Sequence, residues 1–190
     1  MNDYIVTVMS QDRVGIVRDV SSALAGLGGN ITHLSQTVMR GYFTLIISVE
    51  MPEPVGEFEI REAVLRSGGP EEFEVGIRPY KQPVAGSVTP SERFVLSMQG
   101  NDRKGIIARA TFYIAARGIN IVDFYSYVHD GKLLMFAQVS VPVGVDVEEV
   151  QSGLEQVGRE FDLTVHLQHE NIFHATNDVR SVANLQRCEG

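Results

Sequence analysis

The sequence predicts an α+β protein made of two βαββαβ units in tandem. The two halves of the chain align without a gap at an offset of 90 residues, and each half alternates between strand-like and helix-like apolar periods. Between residues 4–80 and 94–170 there are 16 identities in 77 aligned pairs, whereas unrelated positions match about one time in fifteen. We therefore interpret the chain as an internal repeat.

The repeat predicts the domain organisation. The first domain spans residues 1–80 and the second spans residues 93–170. A linker rich in Pro, Gly and small residues joins them at 81–92, and a tail at 171–190 has no counterpart in the first half. Residues 1–80 carry a net charge of −5 and residues 91–170 carry −4, and Lys81 of the linker brings the total to −8, so the acidity belongs to the repeated unit.

Each predicted element follows from a local pattern. In the first unit we expect strands at 4–9, 31–39, 42–51 and 73–77 and helices at 14–27 and 55–67; in the second, the last helix and strand fall at 146–160 and 163–167. Gly28 ends the first helix. Arg40-Gly41 predicts a two-residue hairpin turn, and Asp130-Gly131 takes the same place in the second copy. This order is that of the ferredoxin-like fold, with helices on one face of an antiparallel sheet.

The other face of each sheet has no predicted helix to cover it. We therefore expect the units to pair with one another, edge to edge or face to face, within a chain or between chains. Tyr125 and Tyr127 would share one strand face, which we expect to pack against another unit.

Composition excludes several classes of protein. The longest apolar runs have five residues, whereas a membrane-spanning helix needs about twenty, and the first residues lack the basic character of a secretory signal; we expect a cytoplasmic protein. Cys188 is the single cysteine, which excludes an intrachain disulfide. On one strand His166 and His169 would face opposite sides, so we expect no metal site and no cofactor. The 24 acidic against 16 basic residues argue against a nucleic-acid surface.

The junction after the first strand has the same motif in both copies. Asp12 and Asp102 are expected to cap the following helix by accepting from backbone N–H groups, which places Gly15 and Gly105 in the first helical turn. Glycine there is unfavourable by about 1 kcal/mol relative to alanine. Two interpretations stay open: a ligand such as a carboxylate approaches the helix N-terminus, or glycine only allows close packing of the helix on the sheet.

The second junction ends a helix and begins a strand. It contains Asn30 in the first copy and Asn120 in the second, each preceded by a glycine two residues earlier. The amide group offers two donors and an acceptor, which suit an amino acid's charged groups, although Gly and Asn are also common where a helix ends. We expect the beginning of the first helix and the second strand to lie near one edge of the sheet, where pairing with another unit would close a small cavity.

With these motifs each half resembles an ACT domain, a small βαββαβ module that binds amino acids and regulates amino-acid metabolism. The resemblance covers about 160 of the 190 residues and rests on Asp-Arg-x-Gly-Ile with Gly-x-Asn-Ile in both halves. It implies an effector at an interface between two modules, held by the loop before the first helix and the start of the second strand. By matched position the ligand-binding residues are Asp12, Arg13, Gly15, Ile16, Asn30, Ile31, Asp102, Arg103, Gly105, Ile106, Asn120 and Ile121. Arg13 and Arg103 are alternatively solvent-facing helix residues.

Two such modules with little else are similar to the group of glycine cleavage system transcriptional repressors. The resemblance implies a non-catalytic regulatory protein that binds a small amino acid of the glycine or serine class and acts through protein contacts, in transcriptional regulation of amino-acid metabolism. We expect a homo-oligomer, a dimer, with a protein partner and no direct contact to nucleic acid or membrane. The alternative is a ligand-independent adaptor for an enzyme or transcription factor. The sequence leaves open whether one domain or both bind the effector.

Overall fold

The structure is a computed structural model that describes residues 2–81 and 89–176, with side chains described up to residue 173. The chain divides into two compact units, Met1–Val84 and Ala85–Gly190. Most of the predicted linker, residues 82–88, and the tail from residue 177, including Cys188, lie outside the described residues.

The first unit contains one antiparallel sheet and two helices. Its elements are β1 (Asn2–Gln11), α1 (Ile16–Gly26), β2 (Asn30–Met39), β3 (Tyr42–Met51), α2 (Glu57–Ser67) and β4 (Glu74–Pro79). The strands are ordered β2-β3-β1-β4, and every neighbouring pair is antiparallel. The predicted βαββαβ order is confirmed in this unit.

The second unit repeats this arrangement and adds a helix. Its elements are β5 (Ser91–Asn101), α3 (Ile106–Ala115), β6 (Asn120–His129), β7 (Lys132–Pro142), α4 (Val147–Phe161), β8 (Leu163–His169) and α5 (Glu170–Thr176). The strand order is β6-β7-β5-β8, again antiparallel throughout. The fold class predicted from the sequence is therefore confirmed: two tandem ferredoxin-like units.

The core of each unit lies between the sheet and its two helices. The register aligns Val6 of β1 with Ile47 of β3 and Ile77 of β4, and these side chains are buried together with Val20 and Leu24 of α1. Alternate residues of each central strand point to this side, as a sheet buried on one face requires.

The hairpins adopt the predicted two-residue turns. Arg40 and Gly41 have φ of 52° and 83°, and Asp130 and Gly131 have φ of 47° and 73°. Positive φ at both central residues is the geometry of the type I′ turn, whose twist matches that of the strands it joins.

The helix α5 changes the expectation that the second sheet has one face without a helix. It contacts β5 and β8, Gln138 Nε2 donates a hydrogen bond to Glu170 Oε1, and Phe173 lines a depression with Val95 and Phe136. The strand register places Val95, Phe136 and Gln138 on the sheet face away from α3 and α4. This face was predicted to lack a helix of its own; α5 covers part of it. The tail has no counterpart in the first half, so the repeat carried no information about it.

Among the described residues, no helix combines the length and apolarity that a membrane crossing requires.

A substitution at Gly153 of α4 tests how tightly α3 and α4 pack in the second unit. A Cβ there would lie 1.8 Å from Oη of Tyr113, whose hydroxyl donates to the carbonyl of Glu149. We expect Gly153→Ala to lower the free energy of unfolding by about 1–3 kcal/mol, the range for overpacking, in denaturant titrations. Adding Tyr113→Phe should recover part of this loss.

Gly26→Ala is the matched control, because a Cβ at that helical position meets nothing within 4 Å. It is expected to leave stability unchanged or raise it by about 0.4–1 kcal/mol through the unfolded state. Equal destabilisation by both substitutions would contradict the packing argument.

Candidate functional site

The loop between β1 and α1 is shaped by a left-handed glycine. Gly15 has φ of 97° and immediately precedes α1, and Gly105 has φ of 93° before α3. An L-residue in this conformation costs roughly 1–2 kcal/mol. The prediction that these glycines lie within the first helical turn is wrong, because each helix begins one residue later. Backbone conformation explains the repeated glycine without a ligand.

Asp12 and Asp102 do not cap the helices as predicted. Neither helix has a side-chain hydrogen bond at its N-cap, because the glycine is the capping residue and the aspartate lies three positions before it. Instead the backbone N–H of each aspartate donates to the hairpin, Asp12 to the Gly41 carbonyl and Asp102 to the Gly131 carbonyl, both at 2.8 Å. These bonds fix each loop against the adjacent hairpin turn.

In the first unit, Arg13 is held by two carboxylates. Its guanidinium bonds to Glu72, which precedes β4, and lies 2.9 Å from Asp19 of α1. It also lies over the ring of Phe73, 5.8 Å from the centroid. Arg13 therefore connects the loop to α1 and to the entry of β4, and its charge is compensated within the unit.

The pKa values of these groups shift in the direction that pairing requires. Hydrogen bonds with Glu72 and then Asp19 raise the pKa of Arg13. The Arg13 hydrogen bond, followed by one from the Gly69 backbone, lowers the pKa of Glu72. Hydrogen bonds from Arg18 and then Arg13 lower the pKa of Asp19. All three groups are thus stabilised in their charged forms.

Among the residues described in the second unit, this network is absent. Arg109 stands where the first unit has Asp19, and it pairs with Glu160 at 3.0 Å. Within the described part of the chain, Arg103 has no ion-pair partner. Lys104 follows Arg103, and Lys132 reaches the same loop by donating to Oδ1 of Asn101 at 2.7 Å. This loop therefore carries two cations, Arg103 and Lys104, against one carboxylate, Asp102, beside a helix N-terminus that has no side-chain cap.

The two predicted junctions lie at opposite ends of the sheet in each unit. Tyr42, at one end of β3, pairs with Gln11 beside the loop, whereas Glu50, eight residues on, pairs with Asn30. Eight residues span about 27 Å in an antiparallel strand. The expectation that both junctions share one edge is wrong, because the 11-residue helix α1 returns the chain about 16 Å along the sheet before β2 begins.

The asparagines occupy different surroundings in the two units. Nδ2 of Asn30 lies 3.3 Å from Oε2 of Glu50 and donates to it. The register pairs Asn120 with Ser140, whose Oγ is 2.6 Å from Oγ of Ser91. Asn30 thus has a carboxylate partner, Glu50, and the residue at the matching position of the second unit is a serine.

The predicted isoleucines belong to the core. Ile16 and Ile106 are buried, with 1% and 2% of their surface exposed, and Ile31 and Ile121 pack against the same cores. Their side chains are therefore not available to a polar ligand, and only their backbone groups can reach one.

Sequence reasoning missed Asp19 and Glu72 as partners of Arg13. A signal was present: the aligned positions in the second unit are Arg109 and Asp162, so the charge around the shared Arg differs between copies. The distance in sequence between Arg13 and Glu72 hid the pairing.

The Arg13 network predicts a pH-dependent contribution to stability. The carboxyl pKa values of Asp19 and Glu72 are lowered from 3.8 and 4.5, so the stabilisation is present above pH 4.5 and is lost as the pH falls through the lowered values. We expect Arg13→Gln to reduce the Tm by a few degrees at pH 7, with the gap to wild type closing toward pH 2.5.

Arg103→Gln serves as the control, since Arg103 lacks this pairing. Its Tm difference from wild type should not vary with pH. A gap for Arg13→Gln that stays constant from pH 7 to pH 2.5 would contradict the assigned network.

Comparison with known sequences places both units in one family. A model of the ACT domain matches residues 4–63, and a second ACT domain model matches residues 92–168. A UPF0237 protein of Listeria monocytogenes is 38% identical over 80 residues, which are 42% of this chain and 89% of that protein. A UPF0237 protein of Methanosarcina acetivorans is 32% identical over 84 residues, 44% of this chain and 91% of that protein.

Solved structures share the two-unit fold. A Galdieria sulphuraria protein is 26% identical with a TM-score of 0.73, covering 88% of this chain and 98% of that one. A protein described as a glycine cleavage system transcriptional repressor is 15% identical with a TM-score of 0.63, covering 88% and 96%; at this identity the likeness concerns the fold alone. The chain belongs to the ACT domain family and consists largely of two ACT domains in tandem.

Proposed function

We propose that this protein is a non-catalytic regulator that binds a small amino acid of the glycine or serine class at an interface between ACT domains. It acts through protein contacts, in the transcriptional regulation of amino-acid metabolism. Membership of the ACT family supports the regulatory role, and the fold shared with the repressor agrees with it. Both matched models describe a regulatory module, which supports the absence of catalysis.

The excess of positive charge in the β5–α3 loop carries the proposal. Arg103 and Lys104 directly precede Gly105 at the N-terminus of α3 and outnumber the one carboxylate of the loop, Asp102, while Lys132 bonds to Asn101 at the start of the loop. The first N–H groups of α3 lack intrahelical acceptors. Cations and free N–H donors at a helix N-terminus favour a carboxylate. A Cβ on Gly105 would meet nothing within 4 Å, whereas one on Gly15 would meet Arg18 at 3.1 Å, so the second loop is also the more open.

The separation of the junctions explains why such a site needs an interface. Within one domain a ligand held at the loop is about 27 Å from the asparagine, much longer than a glycine or serine molecule. A second copy of the chain can bring the asparagine of its own domain to the loop. Asp102 then orders the loop through its backbone bond to Gly131, Arg103 receives the carboxylate, and Asn120 of another copy meets the amino group.

A ligand that binds between two domains can change how those domains are arranged. A ligand shifts an equilibrium only by its difference in affinity for the two states. An amino acid bound by groups of two domains favours the arrangement in which they meet, and that arrangement presents a different surface to the protein partner.

Calorimetric titration with glycine, serine and the other standard amino acids tests this proposal. We expect binding of glycine or serine at concentrations up to 1 mM, weakened roughly 10- to 100-fold by Arg103→Gln, because a hydrogen bond to a charged group contributes about 1.5–3 kcal/mol. Arg13→Gln should change affinity less than twofold, since Arg13 is already paired. Arg93→Gln, an exposed change in β5, is the matched control.

Three outcomes would reject parts of the proposal. If no amino acid binds at millimolar concentration and Asn30→Ala with Asn120→Ala leaves partner binding unchanged, the protein is a ligand-independent adaptor. Equal weakening by Arg13→Gln and Arg103→Gln would reject the assignment to the second loop. A salt-sensitive shift of duplex DNA by the purified protein would reject action through protein contacts alone.

A further inference from the structure

The second unit has a depression between α5 and the sheet face opposite α3 and α4. It measures about 360 Å³, within the range of about 300–1,000 Å³ that small-molecule sites occupy. Val95 of β5, Phe136 of β7 and Phe173 of α5 line it. The register pairs Val95 with Gln138 and Phe136 with Tyr125, so these strand residues share one face of the sheet. We call this space the α5 depression.

Three of the residues that line the α5 depression are aromatic, and each comes from a different element. Tyr125 lies on β6, Phe136 on β7 and Phe173 on α5. Tyr125 remains 66% exposed, so the core of the unit does not use its ring. The face of an aromatic ring is electronegative and attracts a cation within about 6 Å of the ring centre. These rings therefore favour a cation over a neutral molecule of the same size.

Two carboxylates flank one amide group at the α5 depression. Asp123 of β6 pairs with Gln138 of β7, which places their Cβ atoms about 4.5–5.5 Å apart. On the other side, Nε2 of Gln138 donates a hydrogen bond to Oε1 of Glu170 in α5. Both acidic residues line the depression. Negative charge from the sheet and from the helix therefore converges on the same space as the aromatic rings.

The charge of Asp123 is not neutralised by a basic side chain. Its Oδ1 accepts from the backbone N–H of Phe124 at 2.9 Å, and a hydrogen bond from the Tyr125 hydroxyl to this carboxylate raises the pKa of Tyr125. Arg93 lies two positions from Val95 on the same strand face, yet Asp123 forms no ion pair with any residue that the structure describes. Two neutral donors thus orient the carboxylate and leave its charge available to a cation.

The first unit does not repeat this combination of rings and carboxylates. At the positions aligned with the strand carboxylate and the two strand aromatics it carries His33, Ser35 and Ile46. The helix α5 also has no counterpart in the first half. The shared βαββαβ backbone therefore does not require these side chains, and the α5 depression is a property of the second unit.

We propose that the α5 depression binds a small organic ammonium ion that carries no carboxylate. The aromatic rings contact the ion and its apolar substituents, and Asp123 and Glu170 offset its charge. An amino acid does not fit this site, because its own carboxylate would lie beside two others and like charges at short range repel. The site is therefore distinct from the β5–α3 loop, and this inference does not depend on amino-acid binding there.

Titration of the full chain with tert-butylammonium chloride at constant ionic strength, followed by the NMR shifts of backbone amides, tests the proposal. We expect saturable shifts at residues of the α5 depression, with half-saturation below about 10 mM. tert-Butanol is a neutral molecule of nearly the same shape and should bind at least about tenfold more weakly, because it lacks the charge. Glycine at the same concentration should not displace the ammonium ion.

Substitutions separate the effect of charge from that of the aromatic rings. Asp123→Asn keeps the acceptor for the Phe124 N–H and removes the charge, so we expect the affinity for tert-butylammonium to fall about three- to tenfold. Phe173→Leu keeps apolar bulk and removes a ring, which should weaken binding about two- to fivefold. Tyr125→Leu, at an exposed strand position, replaces Phe173→Leu if that variant loses the amide shifts of a folded α5.

Asp130→Asn is the matched control for the loss of charge. It removes one carboxylate from the same unit, at the β6–β7 hairpin, where the side chain is 88% exposed. Asp130 has φ of 47°, and asparagine also adopts this left-handed conformation, so the turn should keep its shape. We expect the affinity for tert-butylammonium to change less than about twofold, as for a distant, solvent-screened charge.

The proposal is overturned if tert-butylammonium causes no saturable shifts at the α5 depression, which is also the result expected if another unit covers it. Equal affinity for tert-butanol would reject selection by charge and leave only an apolar pocket. Equal weakening by Asp123→Asn and Asp130→Asn would reject the site in favour of a general effect of net charge. Displacement of the ammonium ion by glycine would reject the exclusion of carboxylates.

Discussion

The organisation of this protein depends on a mismatch between the two faces of each sheet and the helices available to cover them. Each repeat supplies two helices, and both pack on the same side, where Val6, Val8, Leu45 and Ile47 are at most 3% exposed. On the opposite side Ile46 remains half exposed. Burial of that remaining apolar surface requires something from outside the βαββαβ unit. In the second unit, α5 meets part of this requirement.

The two units show how one backbone acquires different surfaces. The glycine before each first helix and the backbone bond from Asp12 or Asp102 to the hairpin recur with nearly the same geometry. The side chains around them do not recur, because Arg109 replaces Asp19 and removes the partner that holds the shared arginine. Features that set the chain path are thus common to both copies, whereas charge and side-chain size differ.

The fold was predictable from the sequence because its signals are local and occur twice, as with the Arg40-Gly41 and Asp130-Gly131 turns. The site was less predictable. The prediction that the aspartates cap the helices was wrong because a left-handed glycine takes the capping position. The φ angle of that one residue decides where the helix begins. The prediction that Asn30 lies near Asp12 was wrong because the length of the helix, and not the spacing of the motifs, determines at which end of the sheet the next strand begins. The partners of Arg13 come from distant positions, and α5 comes from a segment without a repeat.

The separation of the junctions and the difference between the open faces lead to the same requirement. A domain that carries its two candidate ligand groups at opposite ends of a 10-residue strand cannot close them around one small molecule, because strands do not bend on that scale. The open sheet faces, which carry depressions in both units and exposed tyrosines in the second, are likewise incomplete alone. Both features favour association with another unit, the first at loops and strand ends and the second at the open sheet face.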